Sequence, residues 1–141
     1  FCGVLDLKSG RLSCTAAGHP APLLIRAGKD PEPLVIGQGF LLGALEGVTY
    51  RTTEIVLAPG DNLLLYTDGV TEAQNGNREF YGEARLRRVA AVHAAGGTAS
   101  LVDAVVADVR SFAGDAPQYD DITLLSVVYQ GADGDSRRRD R

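Results

Sequence analysis

The sequence contains no methionine, and it lacks the short motifs of several common classes of protein. It has no Walker motif, no Gly-x-Ser-x-Gly, no Cys-x-x-Cys and no EF-hand loop, so the chemistry that these motifs carry is not indicated. No apolar run approaches the ~20 residues of a membrane span, and no signal peptide is visible. Because Met is absent and Phe1 opens directly into a predicted strand, we expect a fragment of a longer polypeptide.

Charge and composition are otherwise ordinary for a soluble globular domain. The 141 residues are 45 % hydrophobic and 23 % charged, which suits one domain with a real core and is too short for two. A net charge of -4 argues against nucleic acid as the main partner. We expect residues 1–130 to form the domain and residues 131–141, which end in a basic cluster, to be a disordered tail.

Cysteine is scarce, with Cys2 and Cys14 on the two arms of a predicted hairpin. A turn centred near Ser9 places Cys14 opposite Val4 and leaves Cys2 only diagonal to it. That offset is long for a disulfide. We therefore expect two reduced core thiols in a cytoplasmic protein.

The hydrophobic pattern predicts strands first, then two helices, then one strand. We predict helices over residues 83–95 and from Ser100 to about Phe112, the second opened by a capping box of Ser100 and Asp103. This order favours an α+β domain, in which a layered and mainly antiparallel sheet structure packs against helices. The predicted strands cover residues 1–7, 11–17, 21–26, 50–57, 63–66 and 122–129.

Acids stand at the tips of two apolar runs. Asp68 ends the first run, and Asp120-Asp121 opens the second. If the two strands are antiparallel, these carboxylates converge at one sheet edge, where a hard divalent cation could bind. The ordinary interpretations are a turn after Asp68 and a surface pair of acids in a loop. We favour Asp68 and Asp120 as metal ligands, with Asp121 supporting them or capping local backbone donors, because adjacent residues of an extended chain point to opposite sides.

His19 follows the second predicted strand, and the sequence leaves its role open. It could be a ligand, a general acid or a packed structural residue, and a lone histidine is more often structural. If residues 11–17 run in the same sense as residues 62–67, His19 lies on the edge that carries Asp68.

Two further acids have a simpler interpretation. Glu72 is expected in the first turn of a short helix that Thr71 caps, where the helix dipole stabilises it. Asp61 begins the strand that ends at Asp68, roughly 20 Å away along an extended chain, and is expected to be structural.

An ordered set of motifs runs from residue 1 to about residue 129. These motifs are Leu5-Asp6-Leu7, Ala17-Gly18-His19-Pro20-Ala21-Pro22-Leu23-Leu24, Leu42-Gly43, Leu57-Ala58-Pro59-Gly60-Asp61, Leu65-Tyr66-Thr67-Asp68-Gly69-Val70-Thr71-Glu72-Ala73, Phe80-Tyr81-Gly82 and Asp120-Asp121-Ile122-Thr123-Leu124. In this order they resemble the C-terminal part of the PPM-type, protein phosphatase 2C-like, metal-dependent serine/threonine phosphatases. The resemblance points to their bacterial branch, the sporulation and stress-response phosphatases that act on anti-sigma-factor antagonists.

The resemblance implies an incomplete α-β-β-α fold with a centre for two Mn²⁺ or Mg²⁺ ions at one edge. Asp68 and Asp120 match metal-ligand positions, and Gly69 and Asp121 are kept as supporting or uncertain positions. His19 stands where relatives outside this branch have an acid, so no metal role is carried over to it. The implied reaction is hydrolysis of phosphoserine or phosphothreonine in a protein by metal-activated water.

The family's first ligand aspartates lie in an N-terminal segment that this sequence does not contain. We therefore expect the chain alone to bind metal weakly and to be nearly inactive. Unpaired strand edges left by the truncation favour a homodimer. Two alternatives remain: a non-catalytic interaction module with a phosphatase-like fold, and a metal-assisted phosphohydrolase that acts on a small molecule.

Overall fold

Eight strands and three helices make up the part of the chain that the computed structural model describes, residues 1–132. The predicted tail, residues 131–141, lies outside the described residues except for Gly131 and Ala132. A 3-10 turn at Ala94–Gly96 separates the two longer helices. The elements are β1 (Cys2–Leu5), β2 (Arg11–Ala17), β3 (Leu23–Ile25), β4 (Glu32–Pro33), β5 (Gln38–Gly39), β6 (Thr53–Val56), β7 (Asn62–Tyr66), α1 (Asp68–Thr71), α2 (Glu83–His93), α3 (Gly97–Ala113) and β8 (Leu124–Val128).

The strands form two sheets. In the first sheet, β2 lies between β1 and β6, antiparallel to both, and its last residues pair in parallel with the short β5. The second sheet has the order β4-β3-β7-β8, and each neighbouring pair is antiparallel. The mainly antiparallel α+β fold that the sequence predicts is confirmed.

Strand β7 separates two apolar cores because successive side chains of a strand point to opposite faces. Leu63 faces the first sheet, where it joins the core that contains Leu12 and Leu24. Leu64 faces the other way, into a core that also contains Leu86 of α2. Among the described residues the helices cover one face of the sandwich, so the layers are sheet, sheet and helix.

The β1–β2 hairpin has a different register from the predicted one. Cys14 lies opposite Gly3, not opposite Val4. The Asp6 carboxylate accepts a hydrogen bond from the backbone N–H of Lys8 at 2.8 Å, which shapes a loop one residue longer than expected. A turn that uses an aspartate side chain in this way is set by local hydrogen bonds that hydrophobic alternation does not encode.

Both cysteines are free in the structure. Cys14 is buried, and burial raises the pKa of its thiol. Cys2 is exposed, so the prediction of two core thiols is wrong for this residue.

The capping box predicted at Ser100 is not formed, because α3 begins three residues earlier, at Gly97. Gly97 has φ 87°, a left-handed conformation that reverses the chain directly after the 3-10 turn. The helix therefore starts without a side-chain hydrogen bond at its N-cap, Gly96. Two adjacent glycines replace the loop and cap that the sequence pattern favoured.

The stretch Glu83–Ala113 is long and apolar enough to cross a membrane, judged by length and composition. The expectation of no span rested on consecutive apolar residues, a stricter criterion. In the structure this stretch is broken at Gly97, and both resulting helices bury apolar side chains in the core beside the second sheet. Of the apolar window in this stretch, 17 % is buried.

Candidate metal centre

The two acid-bearing segments meet at one edge of the second sheet. Strands β7 and β8 are antiparallel, with Tyr66 opposite Leu124, so the end of one strand adjoins the start of the other. The pairing extends beyond the strands, since the Thr67 N–H donates to the Thr123 carbonyl at 3.1 Å. The two segments that carry the acids are therefore adjacent, as expected if the two runs pair in antiparallel fashion.

Thr67 fastens the two segments through its side chain. Its hydroxyl donates to the Asp121 carbonyl at 2.7 Å and accepts from the Thr123 N–H at 2.9 Å. A hydroxyl that donates and accepts at once satisfies backbone groups on the opposing segment. Thr67 was not predicted as a site residue, although its position directly before Asp68 was an available signal.

Gly69 permits the close approach of the two segments. A Cβ atom at this position would lie 2.5 Å from the Asp121 carbonyl oxygen and 3.3 Å from the Asp120 carbonyl carbon. The first distance is far below van der Waals contact, and the obstructing atom is backbone that has little room to shift. Gly69 is therefore needed for this contact, independently of any contact with a ligand.

Asp68 is the first residue of α1, and its carboxylate accepts the Gly69 N–H at 3.0 Å. Glu72 is at the C-cap of α1, so the predicted helix that Thr71 caps, with Glu72 in its first turn, is wrong. The Thr71 hydroxyl instead donates to the Asp68 carbonyl at 3.1 Å. The helix starts earlier than expected because Asp68 already has helical backbone.

The adjacent acids Asp120 and Asp121 make different contacts. The Asp120 carboxylate accepts the Asp121 N–H at 2.7 Å, and the Asp120 carbonyl accepts the Gln118 amide at 2.8 Å. Asp121 contacts Thr67 through its carbonyl. The carboxylate that caps a local backbone donor is thus that of Asp120. From the sequence we considered this function for Asp121.

The carboxylates of Asp68, Asp120 and Asp121 are exposed, and none of the ion pairs among residues 1–132 involves them. A cation bound at this edge would be attracted by the negative charge of these acids. The neighbouring Tyr66 does not contribute a charge, because burial, and to a smaller extent Glu83, raises its pKa to about 12.

Asp61, at the other end of β7, has a structural environment. It is buried, accepts the Ala58 N–H at 2.9 Å and forms an ion pair with Arg26 at 3.2 Å. This arrangement agrees with the structural role that its sequence position predicted.

His19 has no polar contact with the acids in the described part of the chain. Its Nδ1 lies 2.7 Å from the Pro20 carbonyl oxygen, and its ring lies near that of Phe1, with 6.2 Å between centroids. Strand β2, which precedes it, belongs to the first sheet, whereas Asp68 and Asp120 flank strands of the second sheet. The contacts of His19 are those of a packed residue.

The donors present suit a hard divalent cation in type but not in number. Carboxylate and carbonyl oxygens are the ligands that Mg²⁺ and Mn²⁺ prefer. Within residues 1–132 there is no group of three or more His, Cys, Asp or Glu that could hold a metal ion. Asp68 and Asp120 can therefore supply part of a coordination shell.

The sandwich of two sheets and the acids at the β7–β8 edge define a domain of the protein phosphatase 2C-like type. The family model for stage II sporulation protein E (SpoIIE) matches residues 1–130, so the chain belongs to the SpoIIE family. A curated relative, Protein IcfG of Synechocystis sp., is 30 % identical over 127 residues, which cover 90 % of this chain and 20 % of IcfG. The chain thus spans about a fifth of that relative.

Solved structures agree with this assignment. The RsbU and RsbW domains of Rv1364c from Mycobacterium tuberculosis match with a TM-score of 0.68 and 32 % identity, over 88 % of this chain and 34 % of that one. The SiaA-PP2C domain of Pseudomonas aeruginosa matches with a TM-score of 0.69 and 31 % identity, over 84 % and 46 %. The Mn-presoaked phosphatase domain of SpoIIE from Bacillus subtilis has a TM-score of 0.69 over 90 % and 54 %, and its 15 % identity shows the fold alone.

Proposed function

We propose that this chain supplies one half of the metal centre of a phosphatase that hydrolyses phosphoserine or phosphothreonine in a protein, with Asp68 and Asp120 as ligands. The observation that carries the proposal is the convergence of these two exposed acids, through Thr67 and Gly69, at one sheet edge. Membership of the SpoIIE family supports the phosphatase class.

The residues of the chain have separate tasks in this function. Asp68 and Asp120 present carboxylate oxygens at an exposed edge, where a protein-bound phosphoryl group has access. Thr67 and Gly69 hold the two acid segments together. The proposed cofactors are two Mn²⁺ or Mg²⁺ ions, which when bound polarise phosphoryl oxygens and lower the pKa of a bound water.

We assign the remaining ligands to polypeptide outside these 141 residues. Two carboxylates do not complete a centre for two ions, and the chain spans 20 % of the curated relative. We therefore propose that the isolated chain binds metal weakly and is nearly inactive.

The proposed substrate is a phosphorylated anti-sigma-factor antagonist, in a partner-switching pathway of the cytoplasm. This proposal is supported by the resemblance to the sporulation and stress-response phosphatases and by the likeness to a chain with an RsbU domain. A homodimer is proposed as well, because Leu125 on the outer strand β8 is 55 % exposed and an unpaired strand edge favours association.

The test compares the full-length protein with the isolated chain on a phosphoserine peptide at increasing Mn²⁺. We expect Mn²⁺-dependent hydrolysis by the full-length protein, which Asp68→Asn and Asp120→Asn abolish and Asp103→Asn, on the exposed face of α3, does not. Mn²⁺-dependent hydrolysis by the isolated chain that is lost in Asp68→Asn would overturn the proposal that this chain is only half of the centre.

A second candidate function is a non-catalytic interaction module. It is favoured by the presence of only part of a ligand set in residues 1–132. If the full-length protein takes up no Mn²⁺ in calorimetry and still binds a protein partner, this alternative replaces the phosphatase.

A further inference from the structure

A cavity of about 300 Å³ lies directly beside the candidate metal centre. It is enclosed by the segment after α1, the C-terminal end of α3 and the loop of residues 114–120. Its lining includes the apolar side chains of Val109, Ala113 and Ile122. The volume is at the small end of the range for ligand pockets, which suits a single large side chain better than a cofactor.

Two aromatic side chains, Phe80 and Tyr119, also line the cavity, although both are largely exposed. Phe80 is 60 % exposed and Tyr119 is 74 % exposed. A single exposed apolar residue needs no explanation, but two aromatic rings on one small cavity form the kind of surface that anchors a partner. Aromatic rings provide a large contact area at a low cost in conformational entropy.

The segment that carries Phe80 is held in place. Phe80 forms an antiparallel bridge with Gln74, and the next residue, Tyr81, donates its N–H to the Ala73 carbonyl at 2.9 Å. The side chain of Asn75 also binds Glu79 at 2.7 Å across the loop. The Phe80 wall is therefore a closed loop fixed against the end of α1.

A partly buried network of side chains joins this wall to the helices. The Arg85 guanidinium binds the Asp108 carboxylate in bidentate fashion at 2.8 and 3.0 Å, and the Tyr81 hydroxyl donates to the same carboxylate at 2.8 Å. Arg85 also stacks over the rings of Tyr81 and Phe112, at 5.4 and 4.9 Å. These contacts lie within the chain and join α2, α3 and the residue next to Phe80 without a ligand.

The cavity is continuous with the centre, because Asp120 and Gly69 both contribute to its lining. Glu72 and Arg110 add one charge of each sign, so the lining has no strong preference for an anion or a cation. Whatever enters the cavity lies next to a group held at Asp120. A substrate segment could thus occupy both places at once.

We propose that this cavity receives a large apolar side chain of the substrate, within a few residues of the phosphorylated serine or threonine. The inference rests on the proposed function and adds a rule of substrate selection to it. Phe80 and Tyr119 contact that side chain, while the Arg85–Asp108 pair acts as a positioning element for the wall. A small phosphate ester that is not part of a peptide would not fill the cavity.

The test uses the full-length protein and phosphoserine peptides of equal length with polar flanks. One peptide has alanine near the phosphoserine, and in each of the others a single leucine occupies one neighbouring position. At one position we expect leucine to raise kcat/KM about tenfold over alanine. In Phe80→Ala and in Tyr119→Ala this ratio should fall towards one. Val92→Ala, an exposed apolar residue on the outside of α2, should keep it.

For each variant we compare kcat/KM on a leucine peptide with kcat/KM on the alanine peptide. A general loss of activity or stability lowers both values and leaves their ratio unchanged. A wild-type ratio near one at every position overturns the inference and leaves the proposed function intact. An unchanged ratio in both aromatic variants also overturns it. p-Nitrophenyl phosphate is assayed in parallel, and its hydrolysis without hydrolysis of any peptide overturns both the inference and the proposed function. No hydrolysis of p-nitrophenyl phosphate or of any peptide refutes the proposed function itself.

Discussion

Strand β7 has an aspartate just outside each end, and the two have opposite environments. Asp61 is 4 % exposed, forms an ion pair with Arg26 and accepts a backbone N–H. Asp68 is exposed and lies beside the segment that carries Asp120 and Asp121, without a basic partner among residues 1–132. The acid at one end of β7 thus has a basic partner, and the acids at the other end have no ion-pair partner among residues 1–132.

This difference separates a structural acid from a candidate ligand. A buried carboxylate is tolerated when a cation and hydrogen bonds replace its hydration, as at Asp61. The acids at the Asp68 end have no ion-pair partner among residues 1–132. If they bind a cation, as we propose, substitutions at the two ends of β7 should have opposite effects on activity and stability.

The largest expected effect is on activity at the Asp68 end. Asp68→Asn should reduce kcat/KM of the full-length protein on a phosphoserine peptide on the order of 10³-fold, because a metal ligand supports several kcal/mol of transition-state stabilisation. The free energy of unfolding should change little. A loss of stability as large as the loss of activity would remove the distinction between the two ends.

The opposite pattern is expected at Asp61. Asp61→Ala should lower the free energy of unfolding by about 2 kcal/mol in urea denaturation. The change leaves Arg26 with only the longer ion pair to Glu32, at 3.8 Å, and leaves the Ala58 N–H without its acceptor. Glu54→Ala, which breaks a well-exposed ion pair with Arg11, is the matched control and should cost less than about 1 kcal/mol. Equal effects would show that burial does not distinguish these acids.

Gly69→Ala tests whether the close approach of Gly69 to the Asp120–Asp121 segment stabilises the end of β7 that carries Asp68. Its Cβ would lie 2.5 Å from the Asp121 carbonyl oxygen, and we expect a loss of about 2 kcal/mol in stability together with weaker Mn²⁺ binding. Gly76→Ala serves as control, since no atom lies within 4 Å of a Cβ there. Unchanged Mn²⁺ affinity in Gly69→Ala would contradict the role of this contact.

Thr67→Val should have a smaller effect. It removes the hydroxyl that links Asp121 and Thr123, at a cost of about 1 kcal/mol in thermal or chemical unfolding. Because the acid segments are then less firmly joined, Mn²⁺ affinity of the full-length protein should fall as well. Thr71→Val, whose hydroxyl binds only within its own helix, is the control.

The smallest effect concerns the Asp108 ion pair beside the cavity. Hydrogen bonds from Arg85 lower the pKa of the Asp108 carboxyl, so its stabilising effect is present above the unfolded pKa of about 4 and is lost as the pH falls through the folded pKa. Since both side chains are partly exposed, we expect less than about 1 kcal/mol. Asp108→Asn should reduce the dependence of stability on pH between about pH 5 and pH 2, and an unchanged pH profile would contradict it.

The strands β7 and β8 were predictable because each is a continuous apolar run flanked by acids. Their antiparallel pairing was not predicted in itself. It was only the condition under which we expected the acids to lie at one sheet edge. The bond from Thr67 to Asp121 joins residues 54 positions apart, and local periodicity contains no information on such a pairing. The β1–β2 register and the start of α3 were missed for a related reason, since Asp6 and Gly97 set them through backbone geometry.

The sequence by itself determined the kinds of element, the acids at the strand ends and the family to which they belong. Their hydrophobic runs and motifs are local properties that need no knowledge of the fold. Only the tertiary structure decided that Phe80 and Tyr119 line one cavity beside Asp120, that His19 contacts Phe1, and that Asp61 rather than Asp68 has a basic partner. These outcomes depend on how sheets and helices pack across long sequence separations, which no local pattern fixes.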